Sequence, residues 1–384
     1  MGARAAVAVG LALAAAACAG PAIGPDDGAD DRADAAPGTR GDAATAPPFG
    51  SDATPIPNPD PANTWVNVTG NLAGMASECG NLSFLSARPG DDDVMIAGVA
   101  QRGLWATHDG GATWAPLGAG GGSAPITNRT SAIVYDPTDP DVFWESGIYN
   151  GAGVYKTIDG GTTFTGAWLH HNDLVAVDFG DPARATLLVS GHEQARTLSL
   201  SRDGGASWDD VGDALPAGTA FSSAPLVLDR DTFLVGCTGW GGGDAGIYRS
   251  TDGAGSFGRV FDQGGAGAPL RARDGTIYWA NPYGGTLARS SDGGATWDTT
   301  AGGVSSVPPI ELPDGRIATI GSRTILLSAD RGATWTPVGP ALGFDPAVLA
   351  YSTIRRAFYV SRWDCGDRVL DDAVSRFHFD YATE

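Results

Sequence analysis

Lysine is almost missing from this chain of 384 residues: Lys156 stands alone, and the remaining basic charge comes from arginine. Against 44 acidic residues there are only 24 basic ones, a formal net charge of −20. Phosphate recognition needs a basic stripe and none is visible, which excludes nucleic acid as a partner. The arginine bias reads as genome composition, and the acidic surface as solubility outside the cell. Cysteine is scarce, at 4, and the apolar run Ala5–Ala17 is too short to span a bilayer as a helix. Glycine (57) and proline (25) are abundant, which disfavours a helical protein and suits many short strands joined by turns.

The first residues have the form of an export signal, with Arg4 as charged region, Ala5–Ala17 as apolar region and small residues before Cys18. The segment Leu11–Cys18 resembles a bacterial lipoprotein lipobox, although Ala15 stands where leucine is usual. The resemblance implies a diacylglycerol on Cys18, a lipid anchor as the one membrane contact, and a place on the cell envelope. Residues 19–62 are rich in Asp, Ala, Pro and Gly and nearly free of large apolar side chains, so they are expected to be a disordered tether. Residues 63–384 are then the folded part.

That part is built from a repeat. THDGGATW (Thr107–Trp114), TIDGGTTF (Thr157–Phe164) and SRDGGASW (Ser201–Trp208) are followed by STDGAGSF (Ser250–Phe257), SSDGGATW (Ser290–Trp297) and SADRGATW (Ser328–Trp335). Their aspartates, Asp109, Asp159, Asp203, Asp252, Asp292 and Asp330, recur every 38 to 50 residues, the period of a repeated supersecondary unit. Each box lies between two apolar runs, such as Leu104–Ala106 and Trp114–Leu117, and so marks a hairpin turn. The aspartate accepts hydrogen bonds from the turn backbone, and the terminal Trp or Phe is an apolar anchor against a neighbouring sheet. Two further strands precede each hairpin, for example Leu82–Leu85 and Val94–Val99 in the first unit. Four antiparallel strands per unit, arrayed radially, make a β-propeller blade. A seventh unit has Val348–Tyr351, Ala357–Ser361 and Val374–Phe379 but no box, and Thr64–Val68 supplies its fourth strand. Pairing strands from both termini removes an exposed sheet edge. Seven blades are predicted, with six or eight as alternatives, in an all-β ring expected to be monomeric.

The pattern S-x-D-x-G-x-T-W resembles the Asp-box or BNR repeat of sialidases, sortilin-type propellers, xyloglucan-cleaving glycoside hydrolases and photosystem II assembly factors. Thr107 and Thr157 replace the leading serine, Ala254 the glycine, and Phe164 and Phe257 the tryptophan. In that family the boxes are structural and face away from the ligand, which meets loops after each blade's second strand and before its first. On the corresponding loops here stand Arg102, Arg129, Tyr149, Asn150, His171, His192, Trp240, Tyr283, Arg323 and Trp363, a mixture that suits a glycan or a protein loop. Glu193 and Asp173 are the candidate catalytic carboxylates. A sialidase would need an arginine cluster, a Tyr/Glu pair and an acid, and the early Arg-Ile-Pro motif is absent. His170, His171, Asp173, His192 and Glu193 share neighbouring loops, but adjacent histidines on a strand diverge, so no metal site and no cofactor are expected. Cys79 and Cys365 fall on neighbouring blades, where a disulfide would staple the ring closure and leave Cys237 free; three separate thiols are the alternative. The expected function is non-catalytic glycan or protein binding, or assembly, with a glycoside hydrolase acting on extracellular polysaccharide as the alternative.

Overall fold

Alternating β-branched and aromatic runs separated by Asp-Gly, Asp-Pro and Gly-Gly turns leave the chain few options besides antiparallel hairpins. In the computed structural model the described residues are 55–78, 82–90, 93–118, 123–151, 153–168, 170–239, 242–362 and 369–383. They form seven four-stranded antiparallel sheets, the blades of a propeller. Blades 1 to 6 span residues 82–116, 129–168, 172–210, 221–261, 266–299 and 310–338. Blade 7 takes Pro346–Ser352, Ala357–Arg362 and Val374–His378, and its outer strand is Trp65–Asn67 from the other end of the chain. The closure is in register, with Trp65 opposite Phe377 and Asn67 opposite Ser375.

The inner blade strands carry the core. The second strands Met95–Val99, Leu187–Gly191 and Ile317–Gly321 are buried along their whole length, because a blade is covered on both faces by its neighbours. The fourth strands are short and exposed, and the box tryptophans stand just before them. These tryptophans anchor the preceding blade by a hydrogen bond as well as by packing. The indole N–H groups of Trp114, Trp208 and Trp335 donate to the carbonyls of Val68, Ala167 and Ala301 at 3.2, 2.8 and 3.0 Å.

Each Asp-box closes its own turn. In the fifth, Ser290 Oγ donates to Asp292 Oδ1 at 2.8 Å and accepts from Gly294 N at 2.9 Å. Thr296 donates to the same carboxylate from its backbone N–H (2.9 Å) and its hydroxyl (2.6 Å). These donors, the Thr296 hydroxyl foremost, hold Asp292 at about 2. The other five aspartates are bonded alike, and all are held below the usual carboxylate range.

On the same end of the ring an arginine crosses every blade boundary. Arg88 meets Asp141 (2.5 Å, blades 1 and 2), and Arg184 grips Asp136 through two bonds (2.7 and 2.9 Å, blades 3 and 2). Arg202 reaches Gly253 O (3.2 Å), Arg249 reaches Gly293 O (3.0 Å) and Arg289 reaches Arg331 O (2.7 Å). Arg316 donates to Tyr381 O at 3.1 Å, joining blades 6 and 7. At the closure Arg355 pairs with Asp93, and Arg376 donates to Gly110 O at 2.8 Å while gripping Asp60 through two bonds of 2.7 Å. Gly110, Gly253, Gly293 and Arg331 are the same box position in four different blades. A planar guanidinium serves two acceptors at fixed angles, which an ammonium does not. The arginines therefore have a chemical role in the fold, in addition to whatever genome composition contributes to their number.

Residues 55–62, the last part of the stretch whose composition suggests a tether, pack on blade 7 through Asp60 and through Ile56 N to Ile354 O at 2.9 Å. Cys18, Cys79, Cys365, Trp240 and Trp363 lie outside the described residues. Cys237 is a free, buried thiol.

Candidate functional site

Antiparallel alternation puts the turns after first and third strands, boxes included, at one end of every blade. The turns after second strands and the connections between blades occupy the other end, the upper face. Six of the predicted ligand residues and both predicted carboxylates meet there, over blades 1 to 3. Asn150 donates to Glu78 Oε2 at 2.6 Å and accepts from Gln101 Nε2 at 3.3 Å. Arg129 lies 4.0 Å from Glu78 and holds its guanidinium 5.8 Å from the centre of the Tyr149 ring. Arg102 donates to Ala76 O at 3.2 Å.

A second chain of contacts starts at Tyr149. Its hydroxyl donates to Glu193 Oε1 at 3.1 Å, and its ring stands edge-on to His192 (4.8 Å) and His171 (6.1 Å). His192 Nδ1 is 2.6 Å from Asp173 Oδ1, and its Nε2 is 3.7 Å from Glu193. Asp173 thus bonds the imidazole, while Glu193 lies beside it and the buried His192 Nε2 has no hydrogen-bond partner among the described residues. Burial, followed by the charge of Glu193, pushes the Tyr149 hydroxyl up to about 12. Burial also raises Asp173, outweighing the hydrogen bond to His192. It lowers His171, with His192 and His170 adding to the effect.

The backbone under these side chains is unusual. Gln101, Tyr149, Asn150 and Glu193 have φ of 67°, 52°, 55° and 52°, in the left-handed region where glycine or asparagine is normal. Bulky residues at such turns cost stability, and the equivalent turn of blade 6 shares the conformation, with φ of 49° at Ser322 and 64° at Arg323.

The rest of the predicted set is dispersed. Arg323 pairs with Asp345 at 2.7 Å near blade 6. Tyr283, on blade 5, is 78% exposed, with its backbone N–H on Asn281 Oδ1 at 3.0 Å. The arginines do not gather into one cluster.

Two residues whose loops the sequence places on this face gain importance through contacts that it does not announce. Glu78 joins blade 1 to blade 2, and only the fold brings it to Arg129 and Asn150. Asn172, next to Asp173, is fully buried, and neither its amide nitrogen nor its oxygen finds a partner among the described residues. Beneath them Glu145 is fully buried, with Asn128 Nδ2 at 3.2 Å. Burial pushes its carboxyl up to about 8, against the smaller opposing pull of Asn128 and Thr130.

No protein-family model matches the sequence, and no curated protein matches it either. Solved structures do. A propeller described as YCF48 bound to D1 peptide matches with a TM-score of 0.54 at 12% identity, over 86% of this chain and 99% of that one. The GH74 xyloglucanase from Xanthomonas campestris gives 0.52 at 18% identity, over 82% of this chain and 55% of that one. A streptogramin B lyase gives 0.54 at 9% identity, over 79% and 95%. This protein is a seven-bladed propeller similar in fold to these three, whose differing names show that the fold leaves function open.

Proposed function

We propose that this propeller is an exported, lipid-anchored binding module that holds a glycan or a protein segment on its upper face, over blades 1 to 3. The observation that carries the reading is the Tyr149–Glu193–His192–Asp173 chain. Hydrolysis of a glycosidic bond asks for two carboxyl groups flanking that bond with space between them. Here both carboxylates flank one imidazole, and the strained turns fix a polar, ring-bearing surface instead. Preorganised polar side chains beside aromatic edges suit recognition of hydroxyl, amide or peptide groups. The peptide bound to the YCF48 propeller supports a protein segment as one class of ligand. Residues 1–18 are proposed as the signal, with Cys18 lipidated, and the part of 19–62 that precedes residue 55 as the tether.

One observation favours the hydrolase as a second reading. Tyr149 and Glu193 form the kind of tyrosine–carboxylate pair that a sialidase requires, with Arg129 close by. The raised Tyr149 hydroxyl opposes it, since a nucleophilic tyrosine needs its proton removed. A glycan array run beside a screen of activated glycosides separates the two. Binding without turnover, weakened by Glu193→Gln, is expected; turnover abolished by the same substitution would overturn the binding reading. Mass spectrometry of the mature N-terminus tests the anchor, and an unlipidated fragment beginning elsewhere refutes it.

A further inference from the structure

A cleft of about 380 Å³ opens on the Asp-box end between blades 5 and 6, within the size range of small-molecule sites. It is lined by Tyr278, Arg273, Asp274, Glu311, Pro313 and Arg331, among others. Two ion pairs wall it, Arg331–Asp274 at 2.8 Å and Arg273–Glu311 at 3.2 Å. Arg273 also donates to the carbonyls of Leu312 (2.5 Å) and Pro313 (2.9 Å), which fixes its plane. The Arg331 side chain is 59% exposed and remains open to the cleft. Tyr278 is only 1% exposed and brings a hydroxyl group to the lining of the cleft. Burial, followed by the charge of Asp274, pushes that hydroxyl up to about 12, so it remains a donor.

Arg331 provides an independent observation. The same box position is Gly110, Gly160, Gly204, Gly253 and Gly293 in the other five boxes, with φ between 68° and 76°. Arg331 adopts φ 59° there. An L side chain in this region costs stability that glycine does not, and five sister turns show that glycine meets the geometric need. An arginine at that place is accounted for by what its side chain does.

We propose that the cleft between blades 5 and 6 is a binding site for a neutral saccharide unit, separate from the upper face. The two cations and two anions in its walls balance, and Asp314, which also lines it, is taken up by Arg316 at 2.6 Å. Neither an anion nor a cation is favoured by such a lining. A polyol is, because each hydroxyl both donates and accepts, and fixed guanidinium and carboxylate groups give charge-assisted bonds to both. Pro313 offers apolar surface to the C–H face of a sugar ring.

The test is isothermal titration of the whole protein with neutral mono- and disaccharides, with sulfate as the anionic control. At least one sugar is expected to bind. Arg331→Gly should weaken it by roughly tenfold or more while leaving the melting temperature unchanged or higher, since it relieves the strained turn. Tyr278→Phe should weaken it comparably, and the upper-face variant Glu193→Gln should leave it unchanged. Absence of binding by every sugar, binding of sulfate alone, affinity that survives both cleft variants, or affinity lost in Glu193→Gln each overturns the proposal.

Discussion

The two ends of this ring are built from similar residues put to opposite uses. On the Asp-box end, charged side chains bond across blade boundaries and to backbone carbonyls, and almost every guanidinium has a fixed acceptor. On the upper end, over blades 1 to 3, they bond to each other, on turns whose backbone is strained. The first arrangement is repeated around the ring; among the described residues the chain of side-chain contacts through Tyr149, Glu193, His192 and Asp173 occurs in one sector. A feature repeated with the blades serves the blades, whereas a feature confined to one sector needs a reason outside the repeat.

The contrast breaks most sharply at the ring closure. Arg376→Ala leaves Asp60 and the Gly110 carbonyl without their partner in a nearly buried setting, where removing one member costs about 3–5 kcal/mol. Urea unfolding should show that loss, and Arg376→Lys should recover only part of it. No single upper-face substitution among Tyr149, Glu193 and His192 should approach it. If Tyr149→Phe destabilises the ring as much, the division between the two ends fails.

Glu145 sharpens the comparison by pH. Its folded carboxyl lies at about 8, above its ordinary 4.5, so the folded state holds a proton that the unfolded state has released. Stability should therefore fall as pH rises from about 4.5 to 8 and level off above. Glu145→Gln should flatten that slope in thermal melts at stepped pH. The Asp-boxes run the other way. Asp292 is held at about 2, so its contribution is present above the ordinary carboxylate pKa and is lost as pH falls toward 2. Asp292→Ala should cost about 1 kcal/mol at neutral pH, read by urea titration, because the hydrogen-bonded turn is largely exposed.

The smallest stability effect is expected at the candidate site. Glu193→Gln should stay within about 0.5 kcal/mol of the parent in urea unfolding, while ligand retention on a glycan or peptide array falls. Loss of stability without loss of binding would reassign Glu193 to the scaffold.

Much of this was legible in the chain itself. Six boxes at blade spacing, with turn residues between apolar runs, dictate antiparallel hairpins and their number. The boxless unit at the C-terminus and Thr64–Val68 at the other end point to each other because a blade without a fourth strand leaves an edge open. The upper-face residues were legible as a group, since the loop on which each sits follows from strand order. Their neighbours were not. Tyr149 and Glu193 lie on different blades, as do Asn150 and Glu78, and sequence distance carries no information about which loops lean together.

By itself, then, the sequence determined the repeat and which end of each blade a residue occupies, and it pointed to seven blades and to the ring closure. These follow from local rules of turn chemistry, strand alternation and hairpin pairing, which act within a few residues. Only the tertiary structure decided that arginines bind one blade to the next, that two carboxylates flank His192, and that Arg331 stands over a cleft. Those contacts depend on how neighbouring blades pack and lean against each other, and that angle is set by the whole buried interface rather than by any segment of it.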